Sequence, residues 1–397
     1  MNIYTRSRSP RRWATFIVAL IFVFELPTPA FASTEPCATP KPLADGWNVV
    51  TPQAAGFDAS MLCALLTEIA IGDANIHSIV IERRGQLLAD LYRIGRDISI
   101  NSMYGLWRPF APKVAFDPTM LHDTRSVSKS VVSLLLGIAI EQGKIKALST
   151  PVLDFYPEFA HLRTPERSAI TLAHLLTMTS GLQWDEGSLP SDETQLFWKR
   201  SLVEFVMSRP IANPPGERFH YNSGGTAVLA DILVRVTGTT LKTLAQTQLF
   251  EPLGITNWEW VTDFHHRELA FTGLRLRPRD MAKLGRLLLN YGQWQGKQIV
   301  PSQWIAASMR AHVATEWPRQ AGAAYPSHYG YQWWVGTVDW RGKPIAWAAA
   351  FGNGGQRIFV LPELDITVVV TAGDYGSAPI AMQLNQWLTR IVAAVRE

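Results

Sequence analysis

Apolar residues fill the stretch from Val131 to Ile140, and only Ser133 and Gly137 interrupt it. On a helix this stretch has no polar face, and such a helix lies inside a domain rather than on its surface. We therefore predict a buried central helix over residues 126–142.

Helical spacing of apolar residues recurs on both sides of the central helix. Positions three and four apart share one face of a helix, so this spacing predicts further helices. Thr237-Gly238 ends one of them, and Pro278-Arg279-Asp280 begins another. The predicted helices span 58–71, 171–177, 202–207, 226–236, 240–250, 278–289 and 378–395.

Short apolar runs near both chain ends predict strands. Residues 78–81 and 87–92 flank Arg84-Gly85, a sequence typical of a tight turn, and together they predict a hairpin. The C-terminal part predicts three successive strands at 346–350, 357–360 and 366–371.

The order of elements is strand pair, long helical middle, strand group and closing helix. It predicts an α+β fold, in which one antiparallel sheet flanked by helices is built from both chain ends and a mostly helical domain is inserted between. The 397 residues, 47% of them hydrophobic, can bury more core than one domain usually holds. The predicted segments are a signal peptide (1–32), the N-terminal part of the α/β domain (33–120), the central helix with the helical domain (121–260) and the C-terminal part of the α/β domain (261–397).

The first residues have the pattern of a secretory signal. Four arginines within residues 6–12 precede a short apolar stretch at 13–24 and the small-residue motif Ala30-Phe31-Ala32. This order predicts cleavage after Ala32 and a periplasmic or secreted protein without a stable membrane anchor. An uncleaved anchor is the alternative, although the apolar stretch is short for a membrane span.

The predicted signal also accounts for most of the positive charge. It contains four arginines and one glutamate, so the formal net charge of +4 falls to about +1 in the mature chain. No basic stripe or zinc-finger spacing indicates nucleic-acid binding, and we expect a small-molecule substrate instead.

Two cysteines, Cys37 and Cys63, follow the predicted cleavage point. In an oxidising compartment they could pair and pin the N-terminal arm to the first helix. The alternative is two free, partly buried thiols.

Ser126 and Lys129 stand three residues apart at the start of the central helix. On a helix they share one face, so the hydroxyl and the amine can meet. A serine needs a base to become a nucleophile, and a lysine can serve when burial lowers its pKa. The alternative is a capping serine with an exposed lysine.

Two further segments offer polar groups for the same chemistry. Tyr221 lies in a loop just before a predicted helix, where nearby cations could lower its pKa and allow general-base work. The glycine-rich stretch 351–357 leads into a strand and could bring a backbone amide close to a reacting oxygen. The alternatives are a structural tyrosine and an ordinary hairpin turn.

Taken together, these segments resemble the serine β-lactamase-like superfamily, which includes class C β-lactamases, D,D-peptidases, carboxylesterases and 6-aminohexanoate-dimer hydrolases. The resemblance covers most of the chain from about residue 76. It rests on TRSVSKS (124–130), ITLAHLLTMTSGL (170–182), PGERFHYNS (215–223), YGYQWW (329–334) and the stretch 351–370.

The resemblance implies an acyl-enzyme mechanism without metal or organic cofactor. Ser126 would attack the carbonyl, and Lys129 and Tyr221 would carry the proton to the leaving group. Which of these two is the base in the free enzyme stays open, because a coupled pair titrates as a unit. The backbone amides of Ser126 and Gln356 would hold the oxyanion, and the substrate-binding site would also include Ser223, Asn353, Gly354 and Gly355.

Two departures from the family pattern bear on the substrate. Class C β-lactamases carry asparagine where this chain has Ser223, and lactamases and peptidases carry Lys-Thr-Gly where Asn353-Gly354-Gly355 stands here. The missing lysine helps to bind the carboxylate of penicillins, and Arg357 either replaces its charge or is a solvated strand residue. The departures favour the 6-aminohexanoate-dimer hydrolase and esterase branch; a β-lactamase or D,D-peptidase and an inactive binding module are the alternatives.

One loop of the predicted helical domain combines aromatic and acidic residues. Trp184, Phe197 and Trp198 flank Asp185-Glu186 and Asp192-Glu193, which could offer aromatic walls and a carboxylate for a substrate amine. A surface loop with solvated charges is the alternative. His265-His266 lacks further residues at ligand spacing, so we expect no metal site, and we expect His174 to make structural hydrogen bonds.

Overall fold

A nine-stranded sheet forms the centre of the computed structural model, which describes residues 36–100, 112–188, 190–316 and 324–396. The predicted signal peptide lies outside the described residues. The strands are β1 (Asn48–Val49), β2 (Ile76–Arg83), β3 (Gln86–Tyr92), β4 (Ile94–Arg96), β5 (Lys113–Ala115), β6 (His122–Asp123), β7 (Trp258–Trp260), β8 (Leu274–Leu276), β9 (Gln293–Trp294), β10 (Lys297–Gln298), β11 (Val313–Ala314), β12 (Tyr325–Tyr329), β13 (Trp334–Trp340), β14 (Lys343–Gly352), β15 (Gln356–Leu361) and β16 (Ile366–Ala372).

The sheet is built from both ends of the chain, as the sequence predicts. Its strand order is β1-β3-β2-β16-β15-β14-β13-β12-β11, so the N-terminal hairpin pairs with the last strand. All neighbours are antiparallel except the short β1, which runs parallel to β3. The α+β fold class is therefore confirmed.

The central strands contain continuous apolar runs because a hydrophobic core covers each face of the sheet. Every residue of β15 and β16 is buried. Side chains alternate between the two faces of a strand, so Ile358 and Val360 enter one core while Phe359 and Leu361 enter the other. The central helix belongs to the first core, and the closing helix to the second.

Eleven α-helices lie in the described part of the chain. Several begin or end where the sequence predicts, because caps and prolines mark them: Asp58 caps the first, and Gly238 ends the seventh at a φ of 70°. They are α1 (Ala59–Ile71), α2 (Val127–Glu141), α3 (Pro165–Ser168), α4 (Leu172–Leu176), α5 (Asp192–Gln195), α6 (Leu202–Met207), α7 (Ser223–Thr237), α8 (Leu241–Ala245), α9 (Pro278–Leu289), α10 (Ser302–Ser308) and α11 (Ala378–Ala393).

The central helix α2 is buried along almost its whole length, from Val127 to Ala139. Gly137 explains how a neighbour can pack closely against it. A Cβ atom at this position would lie 2.3 Å from the ring of Trp304, so only glycine lets α10 approach.

The observed elements differ from the predicted ones in several places. The predicted helix over 240–250 divides into α8 and a π-helical turn at Gln246–Phe250. Strands β11, β12 and β13, on one side of the sheet, were not predicted, because β11 has only two residues and Pro326 and Gly336 interrupt the patterns of the other two. A separate three-stranded sheet, β6-β8-β7, also escaped prediction.

Cys37 and Cys63 form a disulfide, so the alternative of two free thiols is wrong. The bond joins the N-terminal arm to α1. The described residues form one compact unit. None of the helices in the described ranges is long and apolar enough to cross a bilayer.

Candidate active site

Ser126 stands directly before α2, and Lys129 lies one turn further on the same face. The Lys129 Nζ atom lies 2.9 Å from the Ser126 Oγ atom and donates to the Phe271 carbonyl oxygen, also at 2.9 Å. Lys129 is 1% exposed, whereas Ser126 remains partly exposed. The predicted meeting of hydroxyl and amine is therefore confirmed, and the lysine is not a surface residue.

Burial lowers the pKa of Lys129 below its ordinary value, because an ammonium loses its hydration when it is enclosed. The carboxylates of Glu186 and Glu193 oppose this shift by favouring the charged form. A lysine with a lowered pKa has a larger neutral fraction near neutral pH and can accept a proton.

Tyr221 is the third side chain in this group, beside Ser126 and Lys129. Its hydroxyl is hydrogen-bonded to the side chain of Ser126, and its ring centroid lies 4.9 Å from the Lys129 Nζ atom. The ring also stacks on Trp334 at 5.9 Å between centroids, with an angle of 17° between the planes.

The expected lowering of the Tyr221 pKa is wrong. Burial raises the pKa of Tyr221 well above its ordinary value, and the nearby carboxylate of Glu186 raises it further. The hydrogen bond with Ser126 acts in the opposite direction but does not outweigh them. Tyr221 therefore stays a neutral phenol, which can donate and pass on a proton but is a poor base in the free protein.

The start of α7 fixes the position of Tyr221. The Asn222 side chain caps this helix by accepting a hydrogen bond from the Gly225 N–H at 3.0 Å. A Cβ atom on Gly224 would lie 2.6 Å from the ring of Trp184, so glycine is needed for this close packing. The capped, tightly packed helix end holds the phenol in one place.

Ser223, predicted to bind substrate, joins two carboxylates beside this group. Its N–H donates to the Glu186 Oε1 atom at 2.7 Å, and its hydroxyl donates to the Glu193 Oε1 atom at 3.3 Å. Trp184 donates a further hydrogen bond to Glu186 at 2.9 Å. Burial of the Glu193 carboxyl, together with its repulsion from Glu186, raises the pKa of Glu193 to about 7, although Lys129 opposes the shift.

The rest of the acidic loop is structural. The Asp185 carboxylate accepts from the N–H groups of Gly187 and Ser188, and Asp192 forms an ion pair with Arg209. Trp184 and Phe197 are buried and Trp198 is 47% exposed. The loop therefore presents two glutamates, and not its aspartates, to the candidate site.

Asn353, Gly354 and Gly355 form the turn between β14 and β15. Both glycines have positive φ angles, 89° and 103°, which the turn requires. The Asn353 side chain accepts from the Gly376 N–H at 2.8 Å. Gln356 begins β15, and its side-chain amide nitrogen donates to the Ala372 carbonyl oxygen on β16 at 2.5 Å.

The end of β14 lies against the segment before Ser126. Pairing between β13 and β14 reaches only as far as Trp334 and Ala349, so the last residues of β14, up to Gly352, extend beyond it. A Cβ atom on Gly352 would lie 2.2 Å from the Thr124 carbonyl oxygen. Sequence reasoning missed Gly352, and its position within the glycine-rich stretch was the only available signal.

Arg357 is not a solvated strand residue, so that alternative is wrong. It is 4% exposed, and its Nη1 atom donates to the carbonyl oxygens of Gly352 and Gln356 at 3.1 and 2.8 Å. The guanidinium lies 4.0 Å from the ring centroid of Phe351. Burial lowers the pKa of Arg357 to about 9, and no carboxylate of the described residues pairs with it.

Gln332, like Gly352, is a structural residue that sequence reasoning missed. Its side chain accepts from the Thr226 hydroxyl at 2.8 Å and donates to the carbonyl oxygens of Leu175 and Leu176. Its own carbonyl oxygen accepts from the Ser130 hydroxyl at 2.6 Å. These bonds tie α2, α4 and α7 together beneath the candidate site.

His174 and His265 make structural contacts. The Nδ1 atom of His174 accepts from the Thr171 N–H at 3.2 Å at the start of α4, as expected. The Nε2 atom of His265 lies 3.1 Å from the Trp198 carbonyl oxygen. Across the described ranges, no three histidine, cysteine or acidic side chains are grouped to hold a metal ion.

A family model described as Beta-lactamase matches residues 78–388. This range contains all of the candidate catalytic residues.

Characterised relatives include enzymes of more than one activity. A 6-aminohexanoate-dimer hydrolase of Paenarthrobacter ureafaciens is 27% identical over 309 residues, which cover 74% of this chain and 71% of that protein. Esterase EstB of Burkholderia gladioli is 27% identical over 53% of this chain and 55% of its own. A β-lactamase of Escherichia coli K12 is 32% identical, but over only 36% of this chain and 35% of its own.

Solved structures share the fold. A penicillin-binding protein homologue from Caulobacter crescentus has a TM-score of 0.63 at 17% identity and covers 87% of this chain and 97% of its own. An octameric penicillin-binding protein homologue from Pyrococcus abyssi has a TM-score of 0.58 at 20% identity, covering 83% and 76%. Identities this low carry information on the fold alone.

Proposed function

The chain belongs to the beta-lactamase family, a family of serine hydrolases, and we propose that it hydrolyses amide or ester bonds of small substrates through an acyl-enzyme of Ser126. The observation that carries this proposal is the meeting of three groups at one point. The Ser126 hydroxyl contacts both the Lys129 amine and the Tyr221 hydroxyl.

Lys129 is the general base for acylation in this proposal. The Ser126 proton passes to the neutral Lys129 amine as Oγ attacks the carbonyl carbon of the substrate. Lys129 is better suited than Tyr221, because burial favours the neutral, proton-accepting form of an amine but the neutral, proton-holding form of a phenol. Tyr221 then gives its proton to the leaving group and is reprotonated from Lys129.

Backbone amides stabilise the negative charge that forms on the carbonyl oxygen. The Ser126 N–H precedes the first turn of α2, where the helix dipole favours negative charge. The second donor comes from the strand beside it. The sequence suggests Gln356, the first residue of β15, which pairs with Gly352 at the end of β14. The close approach of Gly352 to Thr124 supports a donor at this end of the two strands.

Water completes the cycle. It attacks the acyl carbon, the ester bond to Ser126 breaks, and the Ser126 oxygen regains a proton through the same Lys129 and Tyr221 groups. No metal or organic cofactor takes part in this scheme.

The proposed substrates are small linear amides and short-chain esters, in the manner of a 6-aminohexanoate-dimer hydrolase or a carboxylesterase. The similarity to proteins with these activities supports this class. So does the absence of lysine from Asn353-Gly354-Gly355. The carboxyl groups of Glu186 and Glu193, which lie beside Ser223, support the recognition of a substrate amine.

We also propose that the mature protein acts in the periplasm or outside the cell, following cleavage after Ala32. The arginine-rich start and the apolar stretch at 13–24 support this, and so does the disulfide, since disulfides persist mainly in oxidising compartments. N-terminal sequencing of the exported protein should show Ser33 as its first residue.

The test is turnover combined with intact-mass spectrometry. The mature protein and Ser126→Ala are incubated with p-nitrophenyl butyrate, with the 6-aminohexanoate dimer, with its N-acetylated form and with benzylpenicillin. We expect turnover of the ester or the dimer by wild type, any adduct confined to wild type, and slower turnover of the acetylated dimer, which lacks the positive amine.

Other outcomes contradict parts of the proposal. A persistent penicillin adduct on Ser126 would indicate a D,D-peptidase, and penicillin turnover a β-lactamase. Equal rates for the free and acetylated dimers would exclude recognition of the amine. No turnover and no adduct with any compound would favour an inactive binding module.

A further inference from the structure

Resting on the proposed function, we propose that Arg125 is a positioning residue for the reaction, whose guanidinium fixes the peptide bond that aims the Ser126 N–H at the developing oxyanion. Arg125 directly precedes the nucleophile and joins it to two loops distant in the chain.

The backbone at Arg125 is unusual. Its φ angle is 51°, in the left-handed region that side chains with a Cβ atom disfavour. The space for this Cβ atom comes from the facing strand, because a Cβ atom on Gly352 would lie only 3.1 Å from it. A disfavoured conformation persists only when its surroundings hold it.

Contacts of the Arg125 guanidinium stabilise this left-handed conformation. Its Nη2 atom donates to the Ile98 carbonyl oxygen at 2.8 Å and lies 3.2 Å from the Asp123 Oδ2 atom. The guanidinium carbon lies 4.3 Å from the ring centroid of Tyr375. The Tyr375 hydroxyl in turn donates to the Asp97 Oδ1 atom at 2.9 Å.

Three separate chain segments therefore meet at one side chain: residues 97–98, the nucleophile segment and the loop after β16. Burial acts to lower the pKa of Arg125, but Tyr375, Asp123 and Asp97 outweigh it and raise the pKa above its ordinary value. The group stays charged at all working pH values, so its role is to position and not to transfer protons.

The carbonyl side of the same peptide bond is also fixed. The Arg125 carbonyl oxygen accepts from the Ser128 N–H at 3.0 Å and from the Ser128 hydroxyl at 2.6 Å. In a planar trans peptide, the C=O and the following N–H point in opposite directions. Anchoring the Arg125 carbonyl inside the first turn of α2 therefore turns the Ser126 N–H outward, toward the cleft.

The test compares Arg125→Ala and Arg125→Gly with wild type. The variants are followed by kcat and KM on p-nitrophenyl butyrate and by the rate at which an alkyl fluorophosphonate labels Ser126, measured by intact mass. In labelling, the Ser126 Oγ–P bond forms, the P–F bond breaks, and fluoride leaves with the serine proton. This readout needs the nucleophile and the oxyanion donors but no natural substrate.

We expect both variants to lose on the order of 100-fold in kcat and in labelling rate, as for the loss of one oxyanion donor, with KM changed less than about threefold. Arg125→Gly relieves the left-handed backbone but lacks the guanidinium, so it should be as slow as Arg125→Ala. Millimolar ethylguanidinium should partly restore the labelling rate of Arg125→Ala.

Arg286→Ala is the matched control. Like Arg125, Arg286 forms an ion pair, to Asp365 at 2.6 Å, but it lies at the end of the sheet away from the β14–β15 turn. We expect it to lower the melting temperature and leave kcat unchanged.

Each remaining outcome overturns something specific. Wild-type rates of labelling in Arg125→Ala, full activity of Arg125→Gly, or an equal loss of kcat in Arg286→Ala would overturn the positioning role alone. Failure of wild type itself to be labelled would overturn the proposed function and this inference with it.

Discussion

At the scale of single residues, burial has opposite consequences for the two proton-carrying groups. It lowers the pKa of Lys129 and raises the pKa of Tyr221, so the amine accepts protons more readily and the phenol holds its own. In the proposed mechanism, this enclosed site thereby assigns the role of base to Lys129 and that of acid to Tyr221.

Removing the phenol hydroxyl tests this division. Tyr221→Phe should lower kcat on p-nitrophenyl butyrate by about 100- to 10,000-fold, the usual range for a lost general acid. Its melting temperature should stay near that of wild type, because the ring keeps its stacking on Trp334. Near-full activity in Tyr221→Phe, measured by steady-state kinetics, would refute the assigned role.

Glu193 gives a prediction with a definite sign in pH. Its pKa in the folded protein is about 7 against an ordinary 4.5, so the folded state binds the proton more tightly than the unfolded state. Wild-type stability should therefore fall as pH rises from about 4.5 through 7, because the buried carboxylate becomes charged. Glu193→Gln removes this cost and should be more stable at pH 8 by up to about 3 kcal/mol, with no gain near pH 4.5.

Urea unfolding at pH 4.5 and at pH 8 measures this difference in stability. Asp185, a carboxylate of the same loop, supplies the control. Hydrogen bonds from Ser188 and Gly187 lower the pKa of Asp185, so its charged form is the favoured one in the folded protein. Asp185→Asn should lose stability at pH 8, the opposite sign to Glu193→Gln. A loss of stability in Glu193→Gln at pH 8 would contradict the raised pKa.

At the scale of elements, the site depends on how closely the end of β14 approaches the segment before α2. A Cβ atom on Gly352 would lie 2.2 Å from the Thr124 carbonyl oxygen, which is backbone and cannot swing aside. Gly352→Ala should therefore displace the nucleophile and cost at least about tenfold in kcat.

Steady-state kinetics with a matched glycine variant isolate this effect. The nearest atom to a Cβ on Gly187 is a side-chain oxygen at 3.7 Å, an ordinary contact, so Gly187→Ala should leave kcat unchanged. Equal activities of the two variants would show that β14 is free to shift and does not fix the site.

The elements also show where sequence reasoning ends. Local patterns predicted α6 and α9 with their observed bounds, because apolar spacing and a starting proline define them. They also brought Ser126, Lys129 and Tyr221 to attention. The approach of Gly352 to Thr124 and the contacts of Gln332 escaped prediction, since each joins residues far apart in the chain.

At the scale of the whole molecule, the sheet unites the two chain ends, and both outer helices, α1 and α11, cover one face of it. The disulfide ties the N-terminal arm to α1, away from α2 and α7, where the candidate catalytic groups lie. Loss of the disulfide should therefore lower the stability of the protein while leaving kcat almost unchanged.

The variant with both Cys37→Ser and Cys63→Ser tests this separation. The bond closes a loop with a sequence separation of 26, and its removal should cost about 3 kcal/mol by enlarging the conformational freedom of the unfolded chain. Thermal unfolding should show a lower melting temperature, while kcat on p-nitrophenyl butyrate at 25 °C stays within about twofold of wild type. A parallel fall in kcat would mean that the arm and α1 help to shape the site, because the sheet would then transmit their loosening to β14.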